Sequence, residues 1–246
     1  MPPPPPQTLT EHSNHLLNAL KLYSAVGDYA DLELVEIPLG QMLYEAGDKL
    51  LYAYFPTSAV VSLLLVLEDG NATEIAVVGN EGMLGIALSM GGEKALNRAV
   101  VQSAGYGYRL KAQLLKDEFN NASPGIRLLL RYAQAPISQI AQTAVCNRHH
   151  SIRQQVCRLL LLSMDRLHSH ELTLTHEHIA NLLGVRREGV TEVAIHLHAL
   201  GLIDYSRGKI TVLNKAGLQQ ACCECYKTVQ TEFDRLLPEL KTRAHA

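Results

Sequence analysis

The chain has 246 residues, 22 basic and 24 acidic side chains giving a formal net charge of −2, and five cysteines. That length suits two small domains and a linker, each with its own core, and the absence of any apolar run of about 18 residues excludes a membrane-spanning helix of the usual kind. The cysteines are odd in number and all lie beyond residue 145, which argues for reduced thiols in a reducing compartment rather than a disulfide frame.

The start, MPPPPPQ, has neither the charged segment nor the apolar block of a signal peptide, so a cytoplasmic protein with no membrane partner is expected. Pro2 to Pro6 read as an extended polyproline tail that buries nothing. Leu16, Leu17, Leu20 and Tyr23 suggest one helix, and residues 1–30 are taken as tail plus helix. From residue 33 to 110 the pattern changes to short apolar runs punctuated by Gly40, Gly47, Gly70, Gly79 and Gly82, the signature of a β-rich domain, assigned to 31–120.

Pro124 opens about forty residues of helical pattern, and 121–150 is assigned to a long helix and hinge. Ile137, Ile140, Ala141, Ala144 and Val145 form an apolar stripe that predicts dimerisation. Pro136 lies inside it and either kinks one continuous helix or marks the meeting of two at Ala135 and Pro136; both readings leave 137–150 helical.

Charge changes sign along the chain. Residues 8–120 carry 7 basic and 14 acidic groups, whereas 121–217 carry 11 and 6, so the C-terminal part alone suits a polyanion. Eight of eleven histidines fall between 149 and 198, which predicts that affinity for such a polyanion rises on acidification.

Within 151–217, the stretch LTHEHIANLLGVRREGVTEVAIHLHALGLIDYSRGKI has the order of a winged helix-turn-helix. Thr175 suits the N-cap of a first helix, Glu177 the positive end of its dipole, and Gly184 the break after it. In the second helix Val190, Val193, Ala194 and Leu197 recur at helical spacing. The opposite face, with Arg187, Glu188, Thr191, Glu192 and His198, is left to enter a major groove. LIDYS and KITVL flank Arg207 and Gly208 as a hairpin wing. Arg187 and Glu188 are the expected base readers; Arg186, Thr191 and Arg207 are expected on phosphates, with Thr175 and Glu192 completing the interface. Residues 218–246 read as a C-terminal helical tail.

Cys222, Cys223 and Cys225 form a dense thiol group without the paired spacing of a zinc or iron–sulfur site, unless Cys146, Cys157 or a histidine joins from elsewhere. They are read as structural thiols, and His149 and His150 as polar hinge residues rather than haem ligands, so neither metal nor cofactor is assigned. No nucleophile, general base and orienting partner form a recognisable constellation, which argues against an enzyme.

Taken together, the strings LGQMLYEAGDKLLYAYFPTSAVVSLLLVLEDGNATEIAVVGNEGMLG, CNRHHSIRQQVCRLLLLSMDR and LTHEHIANLLGVRREGV resemble the Crp/Fnr superfamily of bacterial transcription regulators, over nearly everything from residue 33 onward. The resemblance implies an α+β fold: an N-terminal β-roll (a double-stranded β-helix, cyclic-nucleotide-binding-like), a long dimerisation helix and a C-terminal winged helix-turn-helix. It also implies a homodimer on double-stranded DNA carrying an inverted repeat, with RNA polymerase as a further partner if the protein activates transcription. A small-molecule effector of unknown identity would sit in the roll, at positions including Gly85, Arg98 and Ala99. Members that bind cyclic nucleotides carry Gly-Glu for the ribose and Arg-Ser/Thr-Ala for the phosphate. Here Gly85 is followed by Ile86, and Arg98 by Ala99 and Val100. The effector is therefore expected not to be a cyclic nucleotide. Two alternatives stay open, an effector-free roll that leaves the dimer constitutively on DNA and a small-molecule or redox signal received by the roll. Cysteines near the N-terminus, which the family's iron–sulfur oxygen sensors carry, are missing.

Overall fold

A computed structural model describes residues 14–21, 23, 31–167, 169–206 and 208–238. The polyproline tail and Arg207 lie outside the described residues. Helix α1 (His15–Leu20) is capped by Asn14, whose side chain accepts from the Leu17 amide. Leu16, Leu17 and Leu20 are fully buried, but Tyr23 lies past the helix end in a turn rather than on the helix.

Seven strands follow among the described residues up to α2: β1 (Glu33–Ile37), β2 (Met42–Tyr44), β3 (Tyr52–Pro56), β4 (Val60–Val66), β5 (Ala72–Val78), β6 (Arg98–Ser103) and β7 (Gly105–Lys111). They make two antiparallel sheets of order β1-β7-β3 and β2-β6-β4-β5. Ile37 of the first sheet and Val61, Leu63, Ala76, Val78, Ala99 and Val101 of the second share one apolar core, so the β-rich stretch folds as the expected roll.

The roll hands over to α2 (Ala112–Asn120) and the 26-residue α3 (Pro124–His149). Pro124 stands at the start of α3, where its missing amide hydrogen has no helical partner to lose. The chain does not divide at Pro136. One helix runs through it, forgoing one backbone bond, and ends at His149 with His150 already extended. Tyr132, one turn before Pro136, fixes this stretch to the roll: its hydroxyl accepts from the Met83 amide at 2.9 Å and donates to the Met83 carbonyl at 3.0 Å. The register leaves no room at Gly82, where a Cβ would sit 2.1 Å from the Tyr132 hydroxyl.

Helices α4 (Ile152–Leu167), α5 (His176–Leu183) and α6 (Arg187–Ala199) build the C-terminal unit with the sheet β8-β10-β9 (Glu171–Leu172, Lys209–Val212, Ile203–Ser206) and α7 (Lys215–Ala221). Its core of Leu159, Leu160, Leu172, Ile179, Leu183, Val190, Leu197, Ile210 and Leu218 also takes in Val60 and Val77 of the roll. Helix α8 (Cys225–Leu236) returns along α3: Gln142 bonds Cys225 near one end, and Arg131 reaches the Leu236 carbonyl at the other. Helix α8 is thus part of the body, with Leu236 and Leu237 buried in the core that holds α1.

Candidate nucleic-acid interface and effector region

The helix-turn-helix is built by local chemistry. Thr175 accepts from the His178 amide at 3.0 Å, satisfying one of the free donors that open α5, and Glu177 sits in the first turn. Gly184 ends the helix at φ +66°, and a Cβ there would also lie 2.8 Å from the Thr73 hydroxyl on β5, so the turn is pressed against the roll. The backbone is extended at Arg186 and α6 begins at Arg187. Val190, Ala194 and Leu197 are buried, while Arg186, Arg187, Glu188 and Glu192 are exposed.

Thr191 is only half-buried, and its hydroxyl is engaged, donating to the Arg187 carbonyl at 3.1 Å and lying 3.3 Å from His176 Nδ1. The wing pairs Ser206 with Lys209 across a two-residue loop, with Gly208 at φ +81°. Between the wing and the start of α5, with Arg187 of α6 beside them, runs a groove of about 330 Å3 lined by Thr175, His176, Arg187, Tyr205, Ser206 and Lys209. The Tyr205 ring packs between His176, at 5.2 Å, and His198, at 5.5 Å. Sequence spacing did not single out Tyr205 and Lys209, which line the groove from the two strands of the wing. Burial, aided by Arg187, holds His176 below the ordinary imidazole range, and burial does the same for His178. These two rings therefore charge at lower pH than the expected acid response assumed.

The three effector positions have different surroundings. Gly85, at φ +84°, caps a short turn of 3-10 helix and lines a cavity of about 40 Å3 with Tyr44, Met83, Tyr132 and Pro136. Arg98 lies outside that lining and is bound by Glu45 Oε2, 2.7 Å from Nε and 2.5 Å from a terminal nitrogen. Ala99 is fully buried in β6.

On α3, Ile137 is 57% exposed and Val145 50%, with Ala141 and Ala144 exposed between them. Ile140 differs: it is half-buried against the roll core. Leu130, 45% exposed and seven residues before Ile137, extends the stripe by two turns. Of the thiols, Cys146, Cys223 and Cys225 are gathered in one cluster, whereas Cys157 is buried separately on α4. Burial pushes the Cys146 and Cys157 thiols up to about 12.

Residues 154–221 match the Crp-like helix-turn-helix domain. The transcriptional regulator SdrP of Thermus thermophilus is 31% identical over 198 residues, covering 72% of this chain and 91% of SdrP. The chain belongs to the Crp/Fnr family. It is a transcription regulator with a DNA-binding helix-turn-helix. The Crp/Fnr fold is shared with a regulator from Eubacterium rectale, at a TM-score of 0.66 and 20% identity over 86% of this chain and 99% of that one. FixK2 of Bradyrhizobium japonicum gives 0.65 and 16% over 78% and 98%. SdrP and the Eubacterium rectale protein are both described as transcriptional regulators. Among the described residues, no helix is long and apolar enough to cross a membrane.

Proposed function

We propose that the protein is a cytoplasmic homodimer that binds an inverted-repeat operator, reading bases with Arg187 and Glu188 and switching in response to a signal other than a cyclic nucleotide. One observation carries the reading. Arg186, Arg187 and Glu188 are exposed together at the start of α6, beside the groove that the wing closes. Arginine bonds guanine O6 and N7 in bidentate fashion and glutamate accepts from cytosine N4, each pair contributing about 1–3 kcal/mol of discrimination. Glu192, exposed one turn after Glu188, adds a second acidic side chain to the reading face.

Two-fold symmetry would set the half-sites about 34–36 Å apart. Selection from a random DNA library tests the assignment. Arg187→Ala should lose preference at one base pair per half-site, while Arg207→Ala should weaken all sequences alike and flatten the salt dependence. An unchanged logo for Arg187→Ala removes that residue from base readout. The Glu45 pairing of Arg98 and the smallness of the cavity beside Gly85 favour a second reading, a roll that takes no effector and a dimer that binds DNA constitutively.

A further inference from the structure

Four potential metal ligands converge where α3 ends. Cys146 and His150 lie one turn apart at the close of that helix, and Cys223 and Cys225 bracket the start of α8. One donor atom from each falls within 4.8 Å of all the others. The Cys146 and Cys223 sulfurs are 3.7 Å apart, and Cys225 Sγ is 3.4 Å from His150 Nδ1. A tetrahedral zinc with bonds of about 2.3 Å to sulfur and 2.0–2.1 Å to nitrogen has sulfur–sulfur edges of about 3.8 Å and sulfur–nitrogen edges of about 3.5 Å. The Cys146–Cys223 and Cys225–His150 pairs lie within about 0.1 Å of those lengths. Ligands of a two-iron cluster sit on separate irons and span further, so the set fits one ion.

We propose that Cys146, His150, Cys223 and Cys225 form a four-coordinate Zn2+ site that staples the end of the long helix to the α7–α8 connection. The surroundings have the form that zinc ligands need. With Nδ1 turned to the thiols, His150 Nε2 faces Glu224 Oε1 at 3.3 Å, the carboxylate partner that orients a ligating imidazole. The Gln142 amide donates to Cys225 Sγ at 3.0 Å, a bond that strengthens when the sulfur is a thiolate. On binding, the three thiols release their protons to solvent and Zn2+ gains three sulfur bonds and one nitrogen bond. The complex therefore carries one net negative charge. That charge meets a buried cation: Arg158 acts electrostatically on Cys146, and its Nε has no hydrogen-bond partner among the described residues. His150 and Glu224 reach the surface and give the ion a way in.

The consequence is mechanical. Cys146 directly precedes the helices of the DNA-binding unit and Cys223 directly follows them, 77 residues later. One ion at this point fixes both ends of that unit to α3.

The test uses the full chain, stripped with a chelator under reducing conditions and titrated with zinc alone, then with Co2+ as a spectroscopic probe. One zinc per chain is expected by mass spectrometry, with a rise in melting temperature, and cobalt should give tetrahedral d–d bands with thiolate-to-metal charge transfer. Cys225→Ser and His150→Ala should weaken zinc at least tenfold, whereas Cys222→Ser, outside the set, should keep it. A stripped wild-type chain that takes up no zinc, or a six-coordinate cobalt spectrum, overturns the proposal even if the variants misfold. So does equal binding by Cys225→Ser. None of these measurements involves DNA, so the proposal stands or falls apart from the operator reading.

Discussion

A guanidinium already paired with a carboxylate must give up that pair to hold a cyclic phosphate, and at Arg98 the carboxylate is Glu45. The pair lies 53 residues apart in sequence and half-exposed, and the arginine also holds Glu45 below the usual carboxylate range. Its neighbour Ala99 offers no hydroxyl, and Ile86 no carboxylate for a ribose. Calorimetric titration should therefore show no saturable binding of cyclic AMP or cyclic GMP at micromolar concentration. A dissociation constant near 1 μM, about 8 kcal/mol, would place the phosphate on Arg98 and displace Glu45. Residues whose roles are set by near neighbours were legible in the sequence: the Thr175 cap bonds three positions on, and Gly184 breaks the helix it follows. Glu45 was not, because nothing in the spacing announces a partner on another strand. The thiols repeat the lesson. Cys223 and Cys225 are a visible group, but the donors that complete a tetrahedron come from a helix far upstream.

Helix α3 serves two surfaces at once. Its buried side, with Leu128, Leu129, Tyr132, Ala135 and Gln139, packs on the roll and α8. Its free side shows Leu130, Ile137, Ala141, Ala144 and Val145, an apolar ridge that is costly to leave in water and that a two-fold copy would bury. The amphipathic pattern revealed the ridge but not how its members divide. Ile140 sits at the border and is already packed against the roll, so substituting it would damage the monomer as well as any dimer. Ile137→Lys is the cleaner probe. It should convert a dimer to monomer in sedimentation velocity with the thermal unfolding of the roll little changed, and a dimer of unchanged stability would move the interface elsewhere. Pro136 was ambiguous in the sequence because propensity counts only the lost bond. The anchoring of Tyr132 to Met83 and the burial of Pro136 against the roll come from outside the helix, and they keep it whole.

The DNA-binding unit and the roll meet through polar groups that are sensitive to pH. Arg166 on α4 reaches the Val77 carbonyl at 3.0 Å, Gln139 on α3 at 3.1 Å and Glu81 at 2.9 Å, tying three parts of the molecule together. Nearby on β5, Glu74 accepts from Ser62 at 2.6 Å, and desolvation pushes its carboxyl from 4.5 up to about 7 despite the opposing pull of Arg158 and Arg166. An acid whose folded pKa is raised favours the folded state while both states are protonated. That contribution is complete below about pH 4.5 and is lost as pH climbs through about 7, where the folded chain must ionise a carboxylate it has desolvated. The half-buried His176 and His178 act in the opposite sense, withdrawing stability on the acid side. The wild-type profile alone therefore mixes the two, and the comparison with Glu74→Gln separates them. The melting temperature of wild type should fall relative to the variant between about pH 4.5 and 7, with the gap constant above that window. Parallel curves would mean that water reaches Glu74 and that the joint between the two units is looser than its packing shows.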